Sequence, residues 1–148
     1  MTTANAPRTL GRAGVAVLGQ VPLFSGLSRR HLRRLAERAH ELDIEAEGTI
    51  VRDGDAGDTF FVILKGEVRV VRGRRTVARM GPGEFFGEIS LLDGGPRTAS
   101  VVADTPVVVA RLPKRAFDRL VLDEPGLAAK LLSVVARRLR EAERSIST

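Results

Sequence analysis

Hydrophobic and polar positions follow two different periods along this chain. Residues 29–38 repeat at helical spacing: Leu32, Leu35, Ala36 and Ala39 share one face, which leaves Arg29, Arg30, Arg33 and Arg34 to water. Ser28 stands where the N-cap of that helix belongs, and Ala13 to Leu18 forms a shorter helix before it. The connector Val21 to Ser28 is rich in turn residues, with Phe24 and Leu27 as its core-docking members. From Glu41 the period drops to two. Leu42, Ile44 and Ala46 alternate with acids, as on a half-buried strand, and Gly48 turns the chain into a second strand, Thr49 to Arg52. Phe60 to Leu64 has no polar member and reads as a strand buried on both faces. Val68 to Arg72 and Thr76 to Met80 flank a hairpin tip at Arg72-Gly73-Arg74-Arg75. Glu84-Phe85-Phe86, Ala99 to Val102 and Val107 to Leu112 complete the strand pattern, with turns at Gly81-Pro82-Gly83 and Asp104-Thr105-Pro106. Helical spacing then returns. Pro113 suits a first helical position before Phe117, Leu120 and Val121, and Asp123-Glu124-Pro125 opens a long helix to about Arg144. Its apolar stripe is Leu127, Leu131, Val135, Leu139 and Ala142.

Many short strands with a turn signal at each break predict a mainly β fold with flanking helices, an antiparallel sandwich or jelly roll. A doubly wound sheet would need helices between the strands, and the pattern has none. At 148 residues one domain is expected. Residues 1–12 are polar, with Pro7 and Gly11, and read as a flexible tail; residues 13–148 form the domain, helical over 13–40, β-barrel over 41–112 and helical again over 113–146. The 43% hydrophobic content excludes a disordered chain, and no apolar run approaches the ~20 residues that span a membrane. Without cysteine there is no disulfide, no thiolate metal site and no thiol nucleophile; with no secretory signal in view, a cytoplasmic location is expected. The formal charge of +6 favours anionic partners. Only Lys65, Lys114 and Lys130 are lysine, an arginine usage expected of a GC-rich bacterial genome, and the arginines read mainly as solvated faces.

Candidate chemistry concentrates in Phe86-Gly87-Glu88-Ile89-Ser90-Leu91-Leu92-Asp93-Gly94-Gly95-Pro96-Arg97-Thr98-Ala99. Ile89 to Leu92 is long enough for one helical turn, whose first N–H groups have no internal acceptor and suit an anion. Gly87 allows close backbone approach. Gly94-Gly95-Pro96 breaks the turn and delivers Arg97, whose planar fork fits a phosphate bidentately. Glu88 supplies a carboxylate able to accept from sugar hydroxyls.

This stretch resembles the phosphate-binding cassette of cyclic-nucleotide-binding domains, found in regulatory subunits of cAMP-dependent kinase, in nucleotide-gated channels and in the bacterial catabolite activators. Phe-Gly-Glu, the aliphatic and small residues, Leu-Leu, the turn, Pro-Arg and the small residue before Ala99 all stand at the family's spacing. Asp58, Ile63, Gly66 and Val68 extend the likeness. The resemblance implies an antiparallel jelly-roll barrel with N-terminal helices, a short helix in the cassette and two C-terminal helices. It also implies that Glu88 holds the ribose 2′-hydroxyl and Arg97 the cyclic phosphate. Gly87, Ile89, Ser90, Thr98 and Ala99 complete the cradle, with N–H donors at Gly87 to Ser90 and at Thr98. The last helix is expected to fold over the base, with Arg137, Arg138 and Glu141 as candidate caps, and in some members it pairs with its twin.

The implied function is a sensor or regulatory module that binds cAMP in preference to cGMP, moves its C-terminal helices and signals in trans to an unknown downstream protein or through a homodimer. The alternative is an interaction module with a silent pocket, or a regulatory fragment of a larger protein. Catalysis is not expected, because no nucleophile–base pair is evident and His31 and His40 both lie outside the barrel. No metal site is expected either: Asp53 to Asp58 superficially resembles a calcium loop, but its fifth position is Gly57 and no glutamate stands at the twelfth. No helix-turn-helix follows the long helix, so direct DNA binding is not expected.

Overall fold

The computed structural model describes residues 7–147, without the side chains of residues 145–147. Two antiparallel sheets face each other, with helices covering the outer face of the larger one. The chain runs β1 (Arg8–Thr9), α1 (Arg12–Gln20), a 3-10 turn (Pro22–Phe24), α2 (Arg29–Arg38), β2 (His40–Ile44), β3 (Thr49–Val51), β4 (Thr59–Lys65), β5 (Val68–Arg72), β6 (Arg75–Met80), β7 (Phe85–Phe86), α3 (Glu88–Asp93), β8 (Ser100–Ala103), β9 (Val107–Pro113), α4 (Lys114–Asp123) and α5 (Pro125–Ser147). The five-stranded sheet has the order β1-β2-β9-β4-β7 and the four-stranded sheet β3-β8-β5-β6.

The unbroken apolar run of β4 follows from its place in that order. Phe61 and Ile63 face the second sheet with Ile44, Val68, Phe86, Val101, Val107 and Val109. Phe60, Val62 and Leu64 face the other way, into a core built with Leu18, Phe24, Leu35, Phe117, Leu120, Leu127 and Leu131 of the helical segments. A strand covered on both faces does not tolerate the alternation seen in half-exposed strands. Phe60 anchors the helical side, its ring centroid 5.0 Å from that of Phe117 and 5.3 Å from that of Phe85.

Several expectations are corrected. Part of the expected tail is ordered: Arg8–Thr9 pairs with β2, and Arg8 forms ion pairs with Glu41 and Asp43, both 2.9 Å. Residues 1–6 of that tail lie outside the described residues. The acids of β2 are not all solvated, because Glu41 is buried and accepts from the Gly11 N–H. Ala46 lies beyond the strand, which ends at Ile44, and is exposed. Pro113 is the last residue of β9, opposite Thr59, and the N-cap of α4. On α5, Leu127 and Leu131 are buried, whereas Leu139 is 59% exposed and Ala142 also faces out.

Candidate functional site

β7 carries the chain to Gly87, whose φ of +96° lies in the left-handed region. A Cβ at this position would stand 2.7 Å from both Arg97 Nη1 and the Thr59 carbonyl oxygen, so glycine is needed for conformation and for room. The six residues of α3 follow, ending at Gly94 with φ +72°. Ser90 is buried against Gly57, where an added Cβ would meet Ser90 Cβ at 2.2 Å. The loop of residues 53–58 is thus a backbone platform for α3. It also clamps the cassette's exit: Arg97 N donates to Asp55 O and Gly54 N donates to Arg97 O, both at 2.8 Å, beside a bridge between Ala56 and Pro96.

Arg97 is 6% exposed. Nη2 donates to the Thr59 carbonyl at 2.8 Å, Nη1 to the Gly87 carbonyl at 3.4 Å, and the guanidinium carbon lies 5.8 Å from the centroid of the Phe61 ring. Two of the guanidinium's five donors are therefore used. Among the described residues no carboxylate comes within ion-pair distance of it. Burial pulls its pKa below the ordinary arginine value, and the charges of Asp58 and Glu88 oppose that pull from further off. A buried cation with carbonyl partners and no counter-ion suits a small anion.

Glu88, the first residue of α3, is 1% exposed. Oε1 is held by Arg138 of α5, while Oε2 is buried with no hydrogen-bond partner. The Arg138 guanidinium also donates through Nη2 to the Phe85 carbonyl at 2.9 Å and lies 4.9 Å from the centroid of the Phe85 ring. One side chain thus ties α5 to the cassette at Glu88 and to β7 at the Phe85 carbonyl and ring.

Of the expected site residues, Gly87, Glu88, Ser90 and Arg97 come together. Ile89 is 40% exposed, Thr98 is exposed with its carbonyl taken by Arg72 Nε at 3.2 Å, and Ala99 is half-buried. The expected base caps Arg137, Arg138 and Glu141 all line a cleft of about 650 Å³ between α1, the Pro82-Gly83 turn and α5; Arg138 is also bound to Glu88, while Arg137 and Glu141 are exposed. Sequence reasoning missed Gly57 and Thr59 as supports and Arg138 as the partner of Glu88. The Gly-Asp-Ala-Gly-Asp run at residues 54–58 was an available signal for the first.

A two-layered antiparallel roll with a helical insertion after its Phe-Phe strand, and a long helix tied back against that region, is the architecture of a class of regulatory ligand-binding domains. The chain belongs to the cyclic nucleotide-binding domain family, whose model matches residues 41–124. It is 30% identical over 136 residues to the CRP-like cAMP-activated global transcriptional regulator of Mycobacterium tuberculosis, covering 88% of this chain and 61% of that protein. The crystal structure of the Thermus thermophilus catabolite activator protein superposes with a TM-score of 0.77 at 34% identity, over 85% of this chain and 62% of that one. The regulatory domain of Toxoplasma gondii PKA with cAMP gives a TM-score of 0.68 at 30% identity, over 74% and 43%. The chain spans about three fifths of the length of the two bacterial relatives. No helix among the described residues is long and apolar enough to cross a membrane.

Proposed function

We propose that this chain is a cyclic-nucleotide sensor, with cAMP preferred over cGMP. The observation that carries the reading is the buried Arg97 guanidinium with no carboxylate partner. The cyclic phosphate supplies the missing anion, and the N–H groups of Gly87 to Ser90 and Thr98 complete its cradle beside Ala99. Glu88 Oε2, buried and unpartnered, accepts from the ribose 2′-hydroxyl. Because Oε1 of the same carboxylate holds Arg138, ligand and α5 meet on one group. A nucleotide that binds the docked arrangement better than the undocked one shifts α5 toward it. The Mycobacterium relative is a cAMP-activated regulator and the Toxoplasma PKA regulatory domain is a complex with cAMP, which supports cAMP over cGMP.

The nucleotide is bound and not turned over. Its output passes through α5, to a downstream protein or to a second copy. Leu132 and Leu139, 69% and 59% exposed and one heptad apart, with Val135 between them, give α5 a seam of the kind that pairs helices. Thermal melting of nucleotide-stripped protein tests the reading, because a ligand that binds only the native state raises its melting temperature with concentration. A rise with cAMP larger than with cGMP, and none with 5′-AMP, is expected. Equal response to all three, or to none, would overturn it.

A further inference from the structure

The strongest concentration of positive charge lies away from the cassette. Helix α2 carries Arg29, Arg30, Arg33, Arg34 and Arg38 against one acid, Glu37, and so holds four of the chain's six net charges in ten residues. Folding alone disfavours this arrangement. Arg29–Arg33, Arg30–Arg34 and Arg34–Arg38 are like-charged pairs at i,i+4, each destabilising for an isolated helix. Arg29 and Arg30 also occupy the first turn, the positive end of the helix dipole.

The second helix of the same end adds to the charge. A groove of about 610 Å³ separates α2 from α4, walled by Arg34 and Arg38 on one side and Arg115 and Arg119 on the other, over a floor of Leu35 and Leu120. The carboxylates Asp123 and Glu124 at its edge are engaged: Asp123 Oδ2 lies 3.6 Å from Arg119 Nε, and Glu124 Oε1 lies 2.7 Å from His31 Nδ1. Arg34, Arg38 and Arg115 are exposed and, among the described residues, their guanidiniums have no hydrogen bond or ion pair.

We propose that this groove docks an acidic segment of a partner protein. Unpaired guanidiniums on two facing helices can take carboxylates bidentately from both sides. The apolar floor takes an aliphatic side chain between them, a feature a phosphate backbone does not need. Glu37 and Asp123 interrupt the positive surface, which a nucleic acid with one charge per phosphate would meet as repulsion and a protein segment could answer with its N–H groups. One wall, α4, runs directly into the α4–α5 junction, where His31 of α2 grips Glu124. A segment seated in the groove therefore touches both the N-terminal helices and the helix that leads to α5. This coupling rests on the sensor reading; the docking itself does not.

The test uses the full chain, labelled with nitrogen-15 and followed by amide shifts at low salt, with two probes. One is a short synthetic peptide in which Glu and Leu alternate; the other is a short DNA duplex. The proposal expects saturable peptide shifts confined to residues 31–38 and 115–123. It expects affinity to fall by at least about tenfold in the R34E/R38E/R115E variant, as for loss of several charge pairs across an interface. That variant should keep its circular dichroism spectrum and its response to cAMP. Duplex binding tighter than peptide binding at these residues, shifts centred elsewhere, or no binding of the peptide would each overturn it. Peptide docking in a protein that ignores cAMP would support the groove and refute the sensor, so the two failures are distinguishable.

Discussion

The β roll handles two sets of charges in opposite ways. On the four-stranded sheet, Arg69 bonds Glu47 and Asp104, at 2.6 and 2.5 Å, and Arg79 takes the second oxygen of Asp104. Both carboxylates of this network have a guanidinium, and the network is open to water at Glu47 and Arg79. In the cassette, Arg97 has carbonyls but no carboxylate, and Glu88 keeps one oxygen without a partner although both residues are buried. Exposed pairs of the first kind contribute little, while buried unpaired groups of the second kind are costly to hold. Where a fold keeps charge dry and incompletely answered, a ligand of complementary charge has a reason to bind.

Substitutions on the cassette side should do the most damage. Arg97→Ala is expected to cost roughly 2–5 kcal/mol of cyclic-nucleotide binding, as for truncation of one partner of a buried charge pair. That is about 30- to several-thousand-fold in affinity by titration calorimetry. Arg138→Ala comes next. It leaves both oxygens of Glu88 buried without a partner and should lower stability to urea by about 1–3 kcal/mol. It should also abolish any nucleotide-induced protection of α5 in hydrogen exchange. Gly57→Ala pushes a methyl into Ser90 and should cost about 1–3 kcal/mol by overpacking, with nucleotide affinity falling because α3 is displaced.

The network around Arg69 provides the contrast. Arg69→Ala should leave nucleotide affinity unchanged and produce only a small, salt-sensitive drop in melting temperature. Its pH dependence has a definite sign. Hydrogen bonding to Arg69 lowers the Glu47 pKa in the folded state, so the pair's contribution is present above the unfolded carboxylate value and lost as pH falls through the folded one. The melting difference between Arg69→Ala and the parent should shrink on acidification; a difference that grows would contradict the assignment.

Much of the roll was legible because period-two alternation, turn residues and the contiguous cassette are all local signals. The strand Phe60 to Leu64 announced its two-sided burial, and Gly87 to Arg97 lie within one short stretch. What escaped depends on contacts far apart in sequence. Leucines four apart drift by about 40° per step around a helix of 3.6 residues per turn. The expected stripe on α5 therefore rotates away from the core by Leu139, and the inward line is Leu127, Leu131, Val134 and Arg138. That rotation selects Arg138 over Arg137 as the partner of Glu88, 50 residues away. The strand Arg8–Thr9 was hidden in the same way, since two residues carry no period and only their register against Glu41 and His40 makes them a strand.

The decisive experiment is titration calorimetry of the nucleotide-stripped protein with cAMP, followed by cGMP. Saturable binding at one site per chain, tighter for cAMP, is the predicted result. Absence of heat with both nucleotides, in protein whose circular dichroism shows the fold intact, would contradict the sensor reading and leave Arg97 a buried charge without a ligand.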